Sequence, residues 1–162
     1  QAVRAPDIDR LNHHYVFELS DKCERRLRDA SCDGAVSAAR TLLESVLVEI
    51  ELRMTGTRRE HERDLQGQFT VVRERLHIDE KRADLDYCIK TIGKGLVQVV
   101  NSLAPLRSKL GDRYAREQMP APHQARSVVN AANTVAFVFA ETYASQQAIS
   151  TLGDARSREI SA

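Results

Sequence analysis

Apolar residues recur every three or four positions along most of this chain, and this spacing constrains its fold more than any other feature. The pattern is clearest between residues 35 and 54, at Val36, Ala39, Leu43, Leu47 and Ile50. Side chains at these spacings share one face of an α-helix, and further apolar positions beside them widen that face. The segment therefore predicts a helix that packs against two neighbours.

The same spacing predicts helices over residues 7–30, 79–103 and 123–145, and a short helix around residues 69–76. We expect Asp33 to cap the start of the second helix and Gly56 to end it. The apolar stripe of the 79–103 helix is expected to face the core. Pro105 should then break the chain into an irregular segment, and the polar tail after Ile149 should fray.

The composition agrees with an all-α fold of one domain over residues 1–150, followed by a polar tail over residues 151–162. Seven Gly and four Pro in 162 residues are too few for a β-rich fold with many turns. The apolar share of 42% is enough for one sizeable core. A helical bundle is the natural architecture for such a chain.

Charge and cysteine usage narrow the functional classes. The 24 basic and 23 acidic residues leave a net charge of +1, which excludes a general nucleic-acid-coating protein and restricts any nucleic-acid site to a local patch. Cys23, Cys32 and Cys88 fit no zinc-binding pattern, so we expect reduced, partly buried thiols. No signal peptide and no apolar run of about 20 residues is present, which predicts a soluble cytoplasmic protein without a membrane segment. The first residue is Gln1, which favours a domain excised from a longer protein, or else a processed product.

One segment departs from this even charge. Residues 103–126 hold five basic side chains and two acidic ones; the basic ones are Arg107, Lys109, Arg113, Arg116 and Arg126. Gly111 permits tight backbone geometry there, and a cationic loop between helices can hold a phosphate. The sequence suggests no metal ligand set and no cofactor.

The same segment carries a family resemblance. Leu106 to Asp112, L-R-S-K-L-G-D, resembles the pattern L-R-N-K-x-G-D of the abortive-infection C-terminal family, which is placed among HEPN domains. Residues 123–132 are similar to that family's last helix, residues 139–143 to the end of that helix, and residues 33–46 to its opening helix. The resemblance covers Asp33 to Tyr143 in matching order.

The resemblance implies a HEPN-like antiparallel bundle of four to five helices that forms a homodimer and takes RNA as its partner. It further implies a metal-independent ribonuclease of the toxin type, used in abortive infection and phage defence. In that reading Arg107 binds the scissile phosphate and Tyr114 stands where the family has His. The supporting or RNA-binding residues would be Ser108, Lys109, Asp112, Arg113, Arg126 and Asn130.

Tyr114 leaves two hypotheses open. A phenol has an ordinary pKa of about 10 and is a poor general base at pH 7, whereas an imidazole is suited to that role. The chain is therefore either an RNA-directed effector domain or a catalytically degenerate HEPN module. The degenerate module would act in dimerisation, sensing or RNA binding beside an N-terminal domain of a larger protein. Arg126 and Asn130 could equally bridge helices, and His123 fits an exposed residue near a helix start.

Overall fold

The computed structural model describes residues 13–58, 64–78, 87–103 and 120–160. Within these ranges the chain forms five α-helices and no strand, which confirms the all-α prediction. The helices are α1 (His13–Arg28), α2 (Cys32–Thr55), α3 (Leu65–Arg75), α4 (Tyr87–Leu103) and α5 (Pro122–Ile160).

α2 is the central helix and contacts α1, α3 and α5. Its apolar face is buried as predicted; the fully buried members include Ala35, Ala39, Leu42, Leu43, Val46, Leu47 and Ile50. Val16 and Cys23 attach α1 to the same core, each with no exposed surface. Most of the hydrophobic stabilisation therefore lies where α1 and α5 cover α2.

The C-terminal end of α2 agrees with the prediction, and its N-terminal end does not. Gly56 ends the helix in the left-handed conformation, with φ at +74°, and its N–H donates to the Leu52 carbonyl. At the other end the predicted Asp33 cap is wrong, because the helix already begins at Cys32. Asp33 lies in the first turn, where a carboxylate still suits the positive end of the helix dipole.

α3 is the predicted short helix, and a polar cap that the sequence reading missed starts it. The Asp64 side chain accepts a hydrogen bond of 2.7 Å from the Gly67 N–H. Phe69 packs on Phe139 of α5, with ring centroids 5.2 Å apart. Phe69 is also covered by the Arg73 guanidinium, 5.9 Å from the ring centroid. The contact between Phe69 and Phe139 attaches α3 to α5, and Arg73 covers Phe69 from within α3 itself.

α4 follows the predicted stripe only in part. Leu96 is buried and Val99 packs against the core at its edge, whereas Ile92 is 58% exposed. Within the described part of the chain, α4 packs mainly against α3 and α5. Leu85, the first residue of the predicted stripe, and Pro105, the predicted break after it, lie outside the described residues.

α5 is longer than predicted, because it continues to Ile160 instead of ending near Ser145. Its first half buries a regular apolar face, which includes Val129, Ala132, Val135, Ala136 and Phe139. Residues 147–160, the distal arm of α5, are all exposed, so this part of the helix buries little surface. The expectation of a frayed tail took polarity as the absence of helix, but a polar helix without a Pro can continue into solvent.

Candidate functional site

The predicted site residues fall into two groups. Six of them lie outside the described residues, in the segment 104–119; they are Arg107, Ser108, Lys109, Asp112, Arg113 and Tyr114. Arg126 and Asn130 lie on α5, one helical turn apart, and both are exposed. The describable part of the site is therefore the N-terminal region of α5 and the helix beside it.

The start of α5 is set by local chemistry. Pro122 is the first helical residue, a position that proline favours because its missing N–H would have no helical partner there. The Ala121 N–H instead donates to the side-chain oxygen of Gln124 at 2.9 Å. This start places His123, Arg126 and Asn130 on one exposed side of the helix, at spacings of three and four.

Arg126 makes a contact between two helices. Its Nη1 lies 3.3 Å from Oε2 of Glu24 on α1, and the two side chains are 52% and 36% exposed. Arg126 thus bridges α1 and α5, which is one of the two alternatives that the sequence left open for it. For Asn130, no side-chain hydrogen bond is found among the described residues, and its backbone carbonyl accepts a hydrogen bond of 2.9 Å from the Thr134 hydroxyl.

α1 and α5 run antiparallel along this seam. Glu24 near the end of α1 meets Arg126 near the start of α5, while Phe17 meets Phe137 farther along, with ring centroids 5.4 Å apart. Between these two positions on α5, the buried side-chain oxygen of Asn133 has no hydrogen-bond partner among the described residues. The seam thus joins an exposed ion pair at one end to an aromatic contact at the other.

Glu24 is the residue at this seam that the sequence reading missed. It lies in a mixed-charge helix, where Arg25 and Arg28 both pair with Asp21, at 3.0 and 3.8 Å. Such a pattern indicates a solvated face, and the α1 charges largely fit that reading. No sequence signal relates Glu24 to Arg126, because 102 positions separate them.

The described part of the site can bind an anion, whereas its buried cysteine is not a nucleophile. The Arg126 guanidinium is half exposed and carries the donors that fit phosphate oxygens. Cys23 lies one residue from Glu24 but has no exposed surface, and burial together with the neighbouring Glu24 raises the pKa of its thiol to about 11. A buried thiol with so high a pKa is not a nucleophile at neutral pH.

The described ranges show neither a candidate metal site nor a membrane-spanning helix. They contain no group of three or more His, Cys, Asp or Glu side chains that could hold a metal ion. Nor does any helix in those ranges combine the length and the apolar character that crossing a membrane requires. Cys23 and Cys32 are free, buried thiols.

Comparison with known proteins gives one match. A family model described as a HEPN-like domain, Abi_C, matches residues 14–143. The matched region includes α1, which lies before the Asp33–Tyr143 stretch that carries the resemblance. No curated protein and no solved structure matches the chain significantly.

Proposed function

We propose an RNA-directed function for this chain, which belongs to the Abi_C family of HEPN-like domains. The single observation that carries the proposal is the family match, because it spans α1 to α4 and the packed half of α5. We propose that the chain is an effector domain of a bacterial abortive-infection protein that acts against phage. It would work in the cytoplasm as a homodimer, with any further domains of its full-length protein sensing the infection.

The proposed reaction is cleavage of RNA without a metal ion. The 2′-hydroxyl of the RNA loses its proton and attacks the adjacent phosphate, the bond from phosphorus to the 5′-oxygen of the next nucleotide breaks, and the products are a 2′,3′-cyclic phosphate and a 5′-hydroxyl that has taken up a proton. The protein stabilises the charge that develops on the phosphoryl oxygens. Arg107 is assigned to this phosphate, because a guanidinium offers two parallel donors to its oxygens. Tyr114 is assigned the place of the family's His, where its phenol donates a hydrogen bond.

The supporting residues follow from the local charge. Ser108 and Asp112 would orient the Arg107 side chain, while Lys109 and Arg113 would contact the RNA backbone. Arg126 and Asn130 would extend this cationic surface onto α5, where both side chains face solvent. The excess of basic residues between residues 103 and 126 favours such a local surface on an otherwise neutral chain.

One observation favours a second candidate, a HEPN module that has lost catalysis and acts in dimerisation, sensing or RNA binding. Tyr114 replaces the residue that would move protons near neutral pH. A module of this kind would still bind RNA through Arg107 and its neighbours, and it would do so without cleaving it.

Cleavage of RNA in the presence of EDTA separates the two candidates. The purified chain is compared with Arg107→Ala, Tyr114→Phe and Tyr114→His, and with Arg75→Ala as a control for the loss of one exposed cation on α3. A nuclease loses cleavage in Arg107→Ala by about 100-fold or more, keeps it in Arg75→Ala and gains rate in Tyr114→His. A folded homodimer that binds diverse RNAs and cleaves none of them establishes the degenerate module, and a chain that neither binds nor cleaves RNA contradicts both candidates.

A further inference from the structure

The contact between Arg126 and Glu24 suggests how the proposed RNA surface is regulated within the fold. The two side chains of this ion pair are 102 positions apart in the sequence. The pair therefore forms because α1 packs on α5, and not because of the spacing of residues within one helix. The distance of 3.3 Å exceeds the 2.7–2.9 Å of a short charge-assisted hydrogen bond. The contact is therefore present but loose.

Both partners remain open to solvent, which makes the pair easy to exchange. The Arg126 side chain is 52% exposed and that of Glu24 is 36% exposed. Exposed ion pairs of this kind favour the paired state by on the order of fivefold or less. An anion that arrives from solvent can thus reach the guanidinium and displace the carboxylate.

Glu24 itself cannot move far away, because its helix is attached to the core on both sides of it. Cys23 and Val16 of α1 have no exposed surface, and Leu27 packs against the core as well. The carboxylate therefore stays beside Arg126 when the guanidinium turns to another anion. A phosphate that binds to Arg126 must displace the Glu24 carboxylate, and it is then repelled by that carboxylate, which stays close by.

We infer that Glu24 is an internal competitor of RNA phosphate for Arg126, an autoinhibitory contact that lowers the affinity of the resting surface. The inference rests on the proposed RNA-directed function. A carboxylate and a phosphate use the same guanidinium donors, so Arg126 cannot satisfy both fully at once. Removing the Glu24 charge releases Arg126 and strengthens RNA binding.

The test is binding of a fluorescently labelled single-stranded RNA to the chain at low salt, with 2′-O-methyl groups in place of the 2′-hydroxyls so that the proposed cleavage cannot occur. Glu24→Gln is compared with Glu18→Gln, which removes the same charge from the same helix at an exposed residue paired with His14. Glu24→Gln should tighten binding by about two- to fivefold more than Glu18→Gln does. In the Arg126→Gln background the two substitutions should have equal effects.

The outcomes separate the competitor from the function it rests on. Equal effects of Glu24→Gln and Glu18→Gln in a chain that binds RNA would overturn the competitor and leave the RNA-directed function standing. A difference that persists in the Arg126→Gln background would also overturn it, because Glu24 would then act on another group. Absence of RNA binding in every variant overturns the competitor together with the proposed function.

Discussion

The amide of Gln68 donates a hydrogen bond to the carboxyl group of Glu51 inside the core, where α3 meets α2. The two residues are 4% and 1% exposed, so water does not replace the contact if one partner is removed. A buried polar group that loses its partner costs the free energy of its desolvation. This contact therefore sets where α3 can dock.

We expect Gln68→Ala to lower the free energy of unfolding by about 2 kcal/mol, because it leaves the Glu51 carboxyl without this donor. Urea denaturation followed by circular dichroism measures the change. Gln66→Ala is the matched control, since Gln66 lies on the exposed face of the same helix and should cost less than about 0.5 kcal/mol. Equal effects of the two substitutions would show that the buried contact adds nothing to stability.

The aromatic contacts on the two sides of α5 should differ in energy. Phe139 is fully buried against Phe69, and Phe139→Ala should cost about 3–5 kcal/mol through lost burial and the cavity left behind. Phe17 is 58% exposed, so Phe17→Ala loses little more than the edge contact with Phe137 and should lower the free energy of unfolding by only about 1 kcal/mol. Thermal and urea unfolding of both variants measure this order, and a reversed order would mean that α1 carries more of the core than its burial indicates.

Two glycines with free space around them, Gly56 and Gly95, should respond in opposite directions to alanine. Gly56 has a φ of +74°, so Gly56→Ala should cost about 1–2 kcal/mol, even though nothing lies within 4 Å of an added Cβ. Gly95 lies inside α4 with equally open space, and Gly95→Ala should stabilise the chain by up to about 1 kcal/mol. Urea unfolding of the pair isolates backbone conformation, because neither substitution creates a clash. A Gly56→Ala variant as stable as the unsubstituted chain would contradict the left-handed end of α2.

The thiol of Cys23 should make the free energy of unfolding fall as the pH rises through the alkaline range. Burial, with a smaller effect of Glu24, raises its pKa from the ordinary 9.0 to about 11, so the folded chain keeps the proton longer than the unfolded chain. This contribution to stability is present below pH 9 and is lost as the pH rises through about 11. Unfolding free energies measured from pH 8 to pH 11.5 should fall less steeply for Cys23→Ala than for the unsubstituted chain. Parallel curves would mean that the thiol is accessible to water.

The distal arm of α5 should contribute helix but little stability. Gln146, which directly precedes the arm, donates a hydrogen bond of 2.7 Å from its side-chain amide to the Leu76 carbonyl, whereas residues 147–160 are exposed throughout. A chain that ends at Gln146 should lose helical circular dichroism while its unfolding free energy changes by less than about 0.5 kcal/mol. A chain that ends at Ser145 also loses the Gln146 contact and should unfold about 1 kcal/mol more easily. A large loss from the first truncation would show that the arm packs in solution.

Local regularities of the sequence determined much of this fold. The three- and four-residue spacing identified the buried faces of α2 and α5, since it depends only on helix geometry. The left-handed end at Gly56 and the short α3 helix could be predicted for the same reason, because turn chemistry is local. The order of the matched blocks also pointed to the HEPN-like family, which the match over residues 14–143 shows. The Arg107–Tyr114 part of the candidate site stays a prediction from that pattern.

Other features depended on the packing of elements far apart in sequence. Nothing in the charge pattern of α1 singles out Glu24 as the partner of Arg126, since that pair requires the antiparallel register of α1 and α5. Glu51 and Gln68 look like surface residues until the docking of α3 on α2 buries both. The full length of α5 could not be predicted from periodicity, because periodicity marks only the turns that are packed and the distal arm is exposed. Sequence periodicity reports which face of each helix is apolar, and only the tertiary arrangement brings polar side chains of different helices together.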